Sequence, residues 1–273
     1  MQTVCEWFLY FVIYSILGWA CETVYCSVIQ RKLVNRGFLN GPVCPIYGFG
    51  AILVIALLQS VSDNLLSLFL SGMVVTTVLE YITSVIMEKL FHMRWWDYSH
   101  FRFQINGRVC LLNSLMFGGL SVFMLVVLHP RVIALVDWIP KSWIGWISLG
   151  ILGIFCADTV VTVRSILILK GKLEEIRRIF AELHEKQEAI MAQLKEELQE
   201  KTEGMEALLE KYRLPEGGSF REFLEQQKHK VLEMGLERSH SVRRLIYAFP
   251  HLSSTRYSEA LDKLKERLKN MRK

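Results

Sequence analysis

Five stretches of this chain are apolar enough, over enough consecutive residues, to cross a lipid bilayer: about 4–29, 46–61, 65–87, 109–129 and 143–169. About 20 apolar residues are needed to span the hydrocarbon core as a helix. Only helices and closed barrels satisfy their backbone polar groups there, so this one feature restricts the chain to an all-α polytopic bundle. The stretch 46–61 is the shortest and lies at the lower limit for a full crossing. The first run has no basic segment before it and continues past signal-peptide length, so it reads as a retained span.

Charge is distributed to match. Residues 1–169 hold 10 Lys/Arg and 8 Asp/Glu, leaving 22 of the 32 basic and 19 of the 27 acidic residues for 170–273. A mean hydropathy of +0.27 therefore averages a membrane half and a water-soluble half. The expected organisation is a membrane bundle over 1–169 with polar loops at 30–45 and 88–108. A long coiled-coil-like helix over 170–213 and a basic helical region over 214–273 follow it.

With five spans the termini lie on opposite sides. One side then carries Arg31, Lys32, Arg36, Lys89, Arg94, Arg102 and Arg108, and the other only Arg131 and Lys141. Positive loops stay inside, so the N-terminus is expected outside, with both long loops and the tail in the cytoplasm of a bacterial plasma membrane. Trp138, Trp143 and Trp146 near one end of the bundle, and Trp95 and Trp96 near the other, suit the two interfaces.

Three carboxylates interrupt the spans: Glu22, Glu80 and Asp158. An acid at the bilayer centre costs about 3 kcal/mol on insertion scales, so such a residue faces a partner or a cavity. All three fall roughly 10–17 Å from the helix ends on the loop-bearing side, at 1.5 Å per residue. Asp158 is the deepest and has no evident partner. Thr76, Thr83 and Ser84 give the Glu80 helix a polar stripe.

Spans two and four begin on that side behind the turns Asn40-Gly41-Pro42 and Asn106-Gly107-Arg108. Helix N-termini favour anions, and Arg36, Arg94 and Arg108 present guanidinium forks suited to phosphate or carboxylate. The candidate ligand-binding set is Glu22, Arg36, Asn40, Tyr47, Glu80, Arg94, Trp95, Asp97, Asn106, Arg108 and Asn113. Two readings stand side by side: the arginines pair with Glu22, Glu80 and Asp97 and merely fix the packing, or the inner half is a polar pocket for an anionic or zwitterionic ligand.

Catalytic and cofactor motifs are absent from the sequence. There is no HExxH, GxSxG, GxxxxGK[ST] or GxGxxG run, and the six cysteines lack CxxC spacing. No metal, cofactor or catalytic residue is expected. The chemistry that stays open is a membrane enzyme acting on a lipid or isoprenoid phosphate head group through Glu22 or Glu80.

In the tail, Leu173, Ile176, Phe180, Leu183, Gln187, Ile190 and Leu194 follow a 3-4 spacing, and Leu198, Met205, Leu209 and Tyr212 continue it after a slip of four. A homo-oligomer through 173–212 competes with an intrachain hairpin, and a scaffold assembled by this coil is the third functional reading. Pro215 to Gly218 breaks the helix, and Ser219 with Glu222 forms a capping box. The basic end, 238–273, suits anionic lipid; no nucleic-acid-binding module is present, and no nucleic-acid partner is expected.

The runs Phe38-Leu39-Asn40-Gly41-Pro42-Val43-Cys44-Pro45-Ile46-Tyr47-Gly48, Arg94-Trp95-Trp96-Asp97-Tyr98-Ser99, Asn106-Gly107-Arg108-Val109-Cys110-Leu111 and Arg243-Arg244-Leu245-Ile246-Tyr247-Ala248-Phe249-Pro250 carry a family likeness. They resemble the CmpB-like (type IV) ABC-transporter permeases, bacterial polytopic membrane proteins. The resemblance implies a plasma-membrane transporter subunit, and transport implies a separate ATPase subunit as partner.

Overall fold

The computed structural model describes residues 2–31, 34–200, 240–250, 252–254 and 256–270. The chain forms two compact units. The first comprises Met1–Leu167 and His240–Arg256, the second Ile168–Ser239 and Tyr257–Lys273.

The first unit is a helical bundle built from α1 (Gln2–Gln30), α2 (Pro45–Leu58, ending in a 3-10 turn Gln59–Val61), α3 (Leu65–Phe91), α4 (Leu111–Phe123), α5 (His129–Asp137) and the start of α6 (Lys141–Glu200). Four helical stretches are long and apolar enough to cross a membrane: Val4–Val28, Leu65–Phe91, Leu111–Asp137 and Lys141–Lys186; Pro45–Val61 is a shorter apolar helix. The protein is thus an all-α membrane protein.

The expected fourth span stopped at 129, before Pro130, yet the helix continues through it. Proline lacks the N–H and collides with the carbonyl four residues back, which normally breaks a helix. Here a π-helical turn, Met124–Leu128, precedes α5 and takes up the misfit. α3 starts where the Asn64 side chain accepts from the Ser67 N–H at 3.0 Å and ends at His92 in a left-handed cap (φ 56°).

In lipid, helices gain little from burying apolar surface against each other and associate through close packing of small residues. α1 and α2 meet at Gly48, where a Cβ would stand 2.3 Å from Ser15 Oγ and 2.6 Å from the Phe11 carbonyl. α3 and α4 meet at Gly72, opposite Ser121 in the same way. Away from the polar loops, Tyr14, Val54, Ile55, Leu68 and Leu125 form a buried apolar cluster, within which Tyr14 Oη and His129 Nδ1 are 3.1 Å apart. Ile82, Ile86, Leu120, Leu152 and Val160 remain exposed, as lipid-facing positions are.

Between α3 and α4 the chain makes a two-stranded hairpin, β1 (Gln104–Ile105) with β2 (Val109–Cys110). Asn106 (φ 54°) and Gly107 (φ 68°) occupy its left-handed corner, and the Arg108 N–H closes it on the Ile105 carbonyl at 3.0 Å.

A short helix, α7 (His240–Ala248), and the strap after it belong to this first unit although they come from the far end of the chain. The strap pairs antiparallel with the 88–108 loop: Arg94 N–H to Ser253 O at 2.8 Å and Ser253 N–H to Arg94 O at 2.9 Å. Ser254 Oγ donates to the His92 carbonyl at 2.7 Å.

In the second unit α6 runs unbroken to Glu200, and α8 (Ser258–Asn270) returns. Leu173, Ile176 and Ile179 are fully buried within this single chain, as are Ala260, Leu261 and Leu264 of α8, and Tyr257 Oη donates to Glu174 at 3.0 Å. The first turns of the heptad seam are therefore already covered. The seam side chains from Leu183 on, the break at Pro215–Gly218 and the Ser219–Glu222 capping box lie outside the described residues.

Candidate functional site

Polar side chains collect at the loop-bearing end of the first unit, in three groups. The first is built on α1. Glu22 Oε1 accepts from Arg36 Nε at 2.9 Å, and Glu22 Oε2 lies 3.7 Å from Cys44 Sγ. Arg36 reaches further: its Nη1 donates to the Ala248 carbonyl, and its guanidinium sits 4.7 Å above the Phe249 ring. Burial disfavours the Arg36 charge, but Glu22 outweighs it and holds the guanidinium above its ordinary pKa. One arginine thus ties a span, the first loop and the strap together.

The second group is built on α3. Glu80, Ser84 and Glu88 recur every four residues and share a helix face. Glu88 accepts from Arg94 Nε at 3.1 Å and pairs with Arg108 Nη2 at 2.6 Å, while Arg108 Nη1 donates to Ser84 Oγ at 3.2 Å. Arg94 and Arg108 are therefore committed to Glu88, and neither pairs with Glu80 or Asp97 among the described residues.

Glu80 stands apart, buried at 6% exposure. Tyr98 Oη donates to its Oε1 at 3.1 Å and accepts from Asn113 Nδ2 at 2.6 Å. Burial first, then the neighbouring Glu80 charge, push the Tyr98 phenol well above its usual pKa, so it stays a donor. Glu80 Oε2 has no hydrogen-bond partner among the described residues. Tyr47 of α2 lies within electrostatic reach of Glu22 and Tyr98. Glu22 also lies within reach of Glu80.

The third group is at Asp158, for which the sequence showed no partner. Its Oδ1 accepts from the Asn40 N–H at 3.1 Å and Asn40 Nδ2 at 3.0 Å, and its Oδ2 from the Gly41 N–H at 2.8 Å. Thr162 Oγ1 receives a further bond from Asn40 Nδ2 at 2.9 Å. A carboxylate inside a span is satisfied here by the backbone of a returning loop, which is why no side-chain spacing revealed it.

Of the eleven residues proposed from sequence, Glu22, Tyr47, Glu80 and Asn113 come together with Tyr98. Arg36, Arg94 and Arg108 lie beside them in ion pairs. Asn40 belongs to the Asp158 group. Asp97 Oδ1 accepts from the Ser99 N–H at 2.9 Å, a bond that holds its carboxyl below the usual range. Asn106 turns outward to Tyr81 Oη at 3.0 Å. Trp95 is buried in an aromatic cluster, 5.3 Å from Phe38 and 4.9 Å from Phe249.

Three contributors went unrecognised: Glu88, Tyr98 and Arg244. Extending the Glu80–Ser84 stripe by one turn leads to Glu88. Arg244 stands in the family-like run Arg243–Pro250, but its role left no local signal, because its guanidinium donates to the carbonyls of Gly37, Phe38 and Leu39 at 3.2, 3.0 and 2.7 Å, about two hundred residues away in sequence.

A family model described as "Putative ABC-transporter type IV" matches residues 9–163, more than half of the chain and the length of the bundle that carries these groups. The chain belongs to that family. Within this family assignment, the matched segment takes in Glu22, Glu80, Asp158 and both polar loops, while Arg244 and the strap lie beyond it. No curated protein and no solved structure matches the chain. Family and apolar helices together make this a transporter-like membrane protein.

Proposed function

We propose that this protein is the membrane subunit of a transporter that binds a small zwitterionic ligand at the Glu80 centre, entered from the cytoplasm. The observation that carries the reading is the free oxygen of Glu80. A buried acceptor left without a donor costs about 1–3 kcal/mol, more when charged. A buried polar group left unsatisfied needs an explanation, and a ligand that brings the donor supplies one for this carboxylate. Tyr98, itself held by Asn113, orients the carboxylate from one side, leaving Oε2 to take an ammonium or hydroxyl donor.

Of the anionic and zwitterionic ligands expected from sequence, the ion pairs favour the second. Arg36, Arg94 and Arg108 already have carboxylate partners, so a purely anionic ligand would have to displace one. A zwitterion also has to displace a carboxylate from an arginine, but its cation gives Glu80 Oε2 the donor that a pure anion lacks. The positive loops support the inward orientation, with the N-terminus outside. An ATPase subunit would supply the energy.

Uptake into inside-out membrane vesicles tests this. Supplied with ATP and a mixture of amino acids, polyamines and phosphocholine, wild-type vesicles should accumulate a zwitterionic component at least tenfold above Glu80→Gln vesicles. An ATPase should copurify with the wild-type chain. Equal accumulation by both, with no ATPase in the preparation, refutes the proposal.

A further inference from the structure

We propose that the hairpin between α3 and α4 is seated in the bilayer interface, where Phe103 and Ile105 enter the acyl boundary and Arg102 takes the phosphate of an anionic phospholipid. The two faces of the hairpin differ sharply. Val109 and Cys110 of β2 are 2% exposed, so that strand is fixed within the unit. Both residues of β1 are exposed, and Ile105 in it and Phe103 in the bend just before it are 59% and 65% exposed. A hairpin pinned through its buried strand that presents a Phe and an Ile side by side, continuous with further exposed apolar residues, fits an apolar medium.

Continuity identifies that medium as lipid. The Leu111 N–H donates to the Phe103 carbonyl at 2.9 Å, which locks Phe103 beside the first residue of α4. From there Leu111, Leu112, Leu115 and Met116 are exposed along the helix at 46%, 53%, 42% and 56%. That is the outer surface of a span, and Phe103 extends it past the helix end.

Arg102 supplies the charge that fits. It is exposed, its guanidinium stands 5.8 Å from the Phe103 ring centroid, and it has no carboxylate partner among the described residues. An arginine whose stem lies along apolar surface carries its head to the phosphate level of the membrane. Its planar fork matches phosphate oxygens two at a time. Each basic residue near an anionic leaflet adds to membrane attraction, and an aromatic neighbour at that depth anchors it. The inference depends on the membrane location alone and stands whether or not Glu80 binds a ligand.

The test uses the full chain in vesicles of phosphatidylcholine with or without 30% phosphatidylglycerol. A Phe103→Trp variant adds one indole to the seven native ones, read as the difference from wild type. That added emission should be blue-shifted and quenched by lipids brominated near the carbonyl end of the acyl chain; red-shifted, unquenched emission overturns the seating. Native mass spectrometry of protein extracted from the mixed vesicles should show phosphatidylglycerol retained over phosphatidylcholine. Arg102→Gln should lower that excess at least threefold and Arg102→Lys only partly. An excess unchanged in Arg102→Gln overturns the phosphate assignment. Quenching that disappears when a stoichiometric protein partner copurifies assigns the surface to that partner instead and overturns the proposal.

Discussion

At the scale of single residues, most polar groups of this membrane unit are paired, and Glu80 is the buried carboxylate that keeps one oxygen without a hydrogen bond or ion pair among the described residues. Arg36 is the clearest paired case, because it holds Glu22, the Ala248 carbonyl and the Phe249 ring at once. Removing one partner of this partly buried ion pair leaves the other charge with reduced compensation. Arg36→Ala should lower stability by on the order of 3 kcal/mol, measured by thermal unfolding in detergent. Arg36→Lys should recover only a minor part, since a compact ammonium cannot serve a carboxylate and a carbonyl in two directions. A loss below about 1 kcal/mol would place Glu22 in water and contradict the network, because exposed pairs contribute that little. The existence of a polar centre was legible from Glu22 and Glu80 themselves, since acids in apolar runs demand partners. The partners were not legible. Asp158 is satisfied by backbone N–H groups of a distant loop, and Glu88 takes the arginines that sequence spacing assigned equally well to Glu80 or Asp97.

At the scale of elements, helix contact depends on two glycines facing α1 and α4. Gly48→Ala must push its methyl against Ser15 and the Phe11 backbone, and backbone cannot move aside as a flexible side chain can. It should cost about 1–3 kcal/mol in thermal unfolding. Gly119→Ala is the control. Nothing lies within 4 Å of a Cβ there, and alanine is the better helix former, so it should be neutral or slightly stabilising. Equal effects would mean that α1 and α2 are not closely packed.

The strap gives a second prediction at this scale. Arg244→Ala removes donors from three consecutive loop carbonyls. Amide exchange over 34–41 and 240–250 should accelerate at least tenfold, corresponding to about 1.4 kcal/mol. Unchanged exchange would show that the strap is held without it. Hydropathy revealed the spans because lipid imposes a length. It misjudged the end of the fourth, where a π-helical turn makes Pro130 tolerable. The docking of α7 left no trace in local spacing at all.

At the scale of the whole molecule, the account rests on orientation. With Pro45–Val61 counted as a span, the basic residues lead us to propose the turn at Ser62–Asn64 outside and the 88–108 loop inside. In intact cells, a membrane-impermeant biotin-maleimide should label Ser62→Cys and leave Arg102→Cys unlabelled until the membrane is opened, each in a background without native cysteines. The opposite pattern would turn the Glu80 centre toward the exterior and remove the ATPase from its expected side.

In the function proposed above, Glu80, held by Tyr98 and through it by Asn113, keeps one oxygen for a ligand. Native mass spectrometry of the gently purified full chain tests it most directly. Wild-type protein should retain a small zwitterionic molecule at one copy per chain. Glu80→Gln should lose it, and Tyr98→Phe should retain at most a tenth. Wild-type protein carrying no such molecule, or a molecule bound equally by Glu80→Gln, would contradict the account.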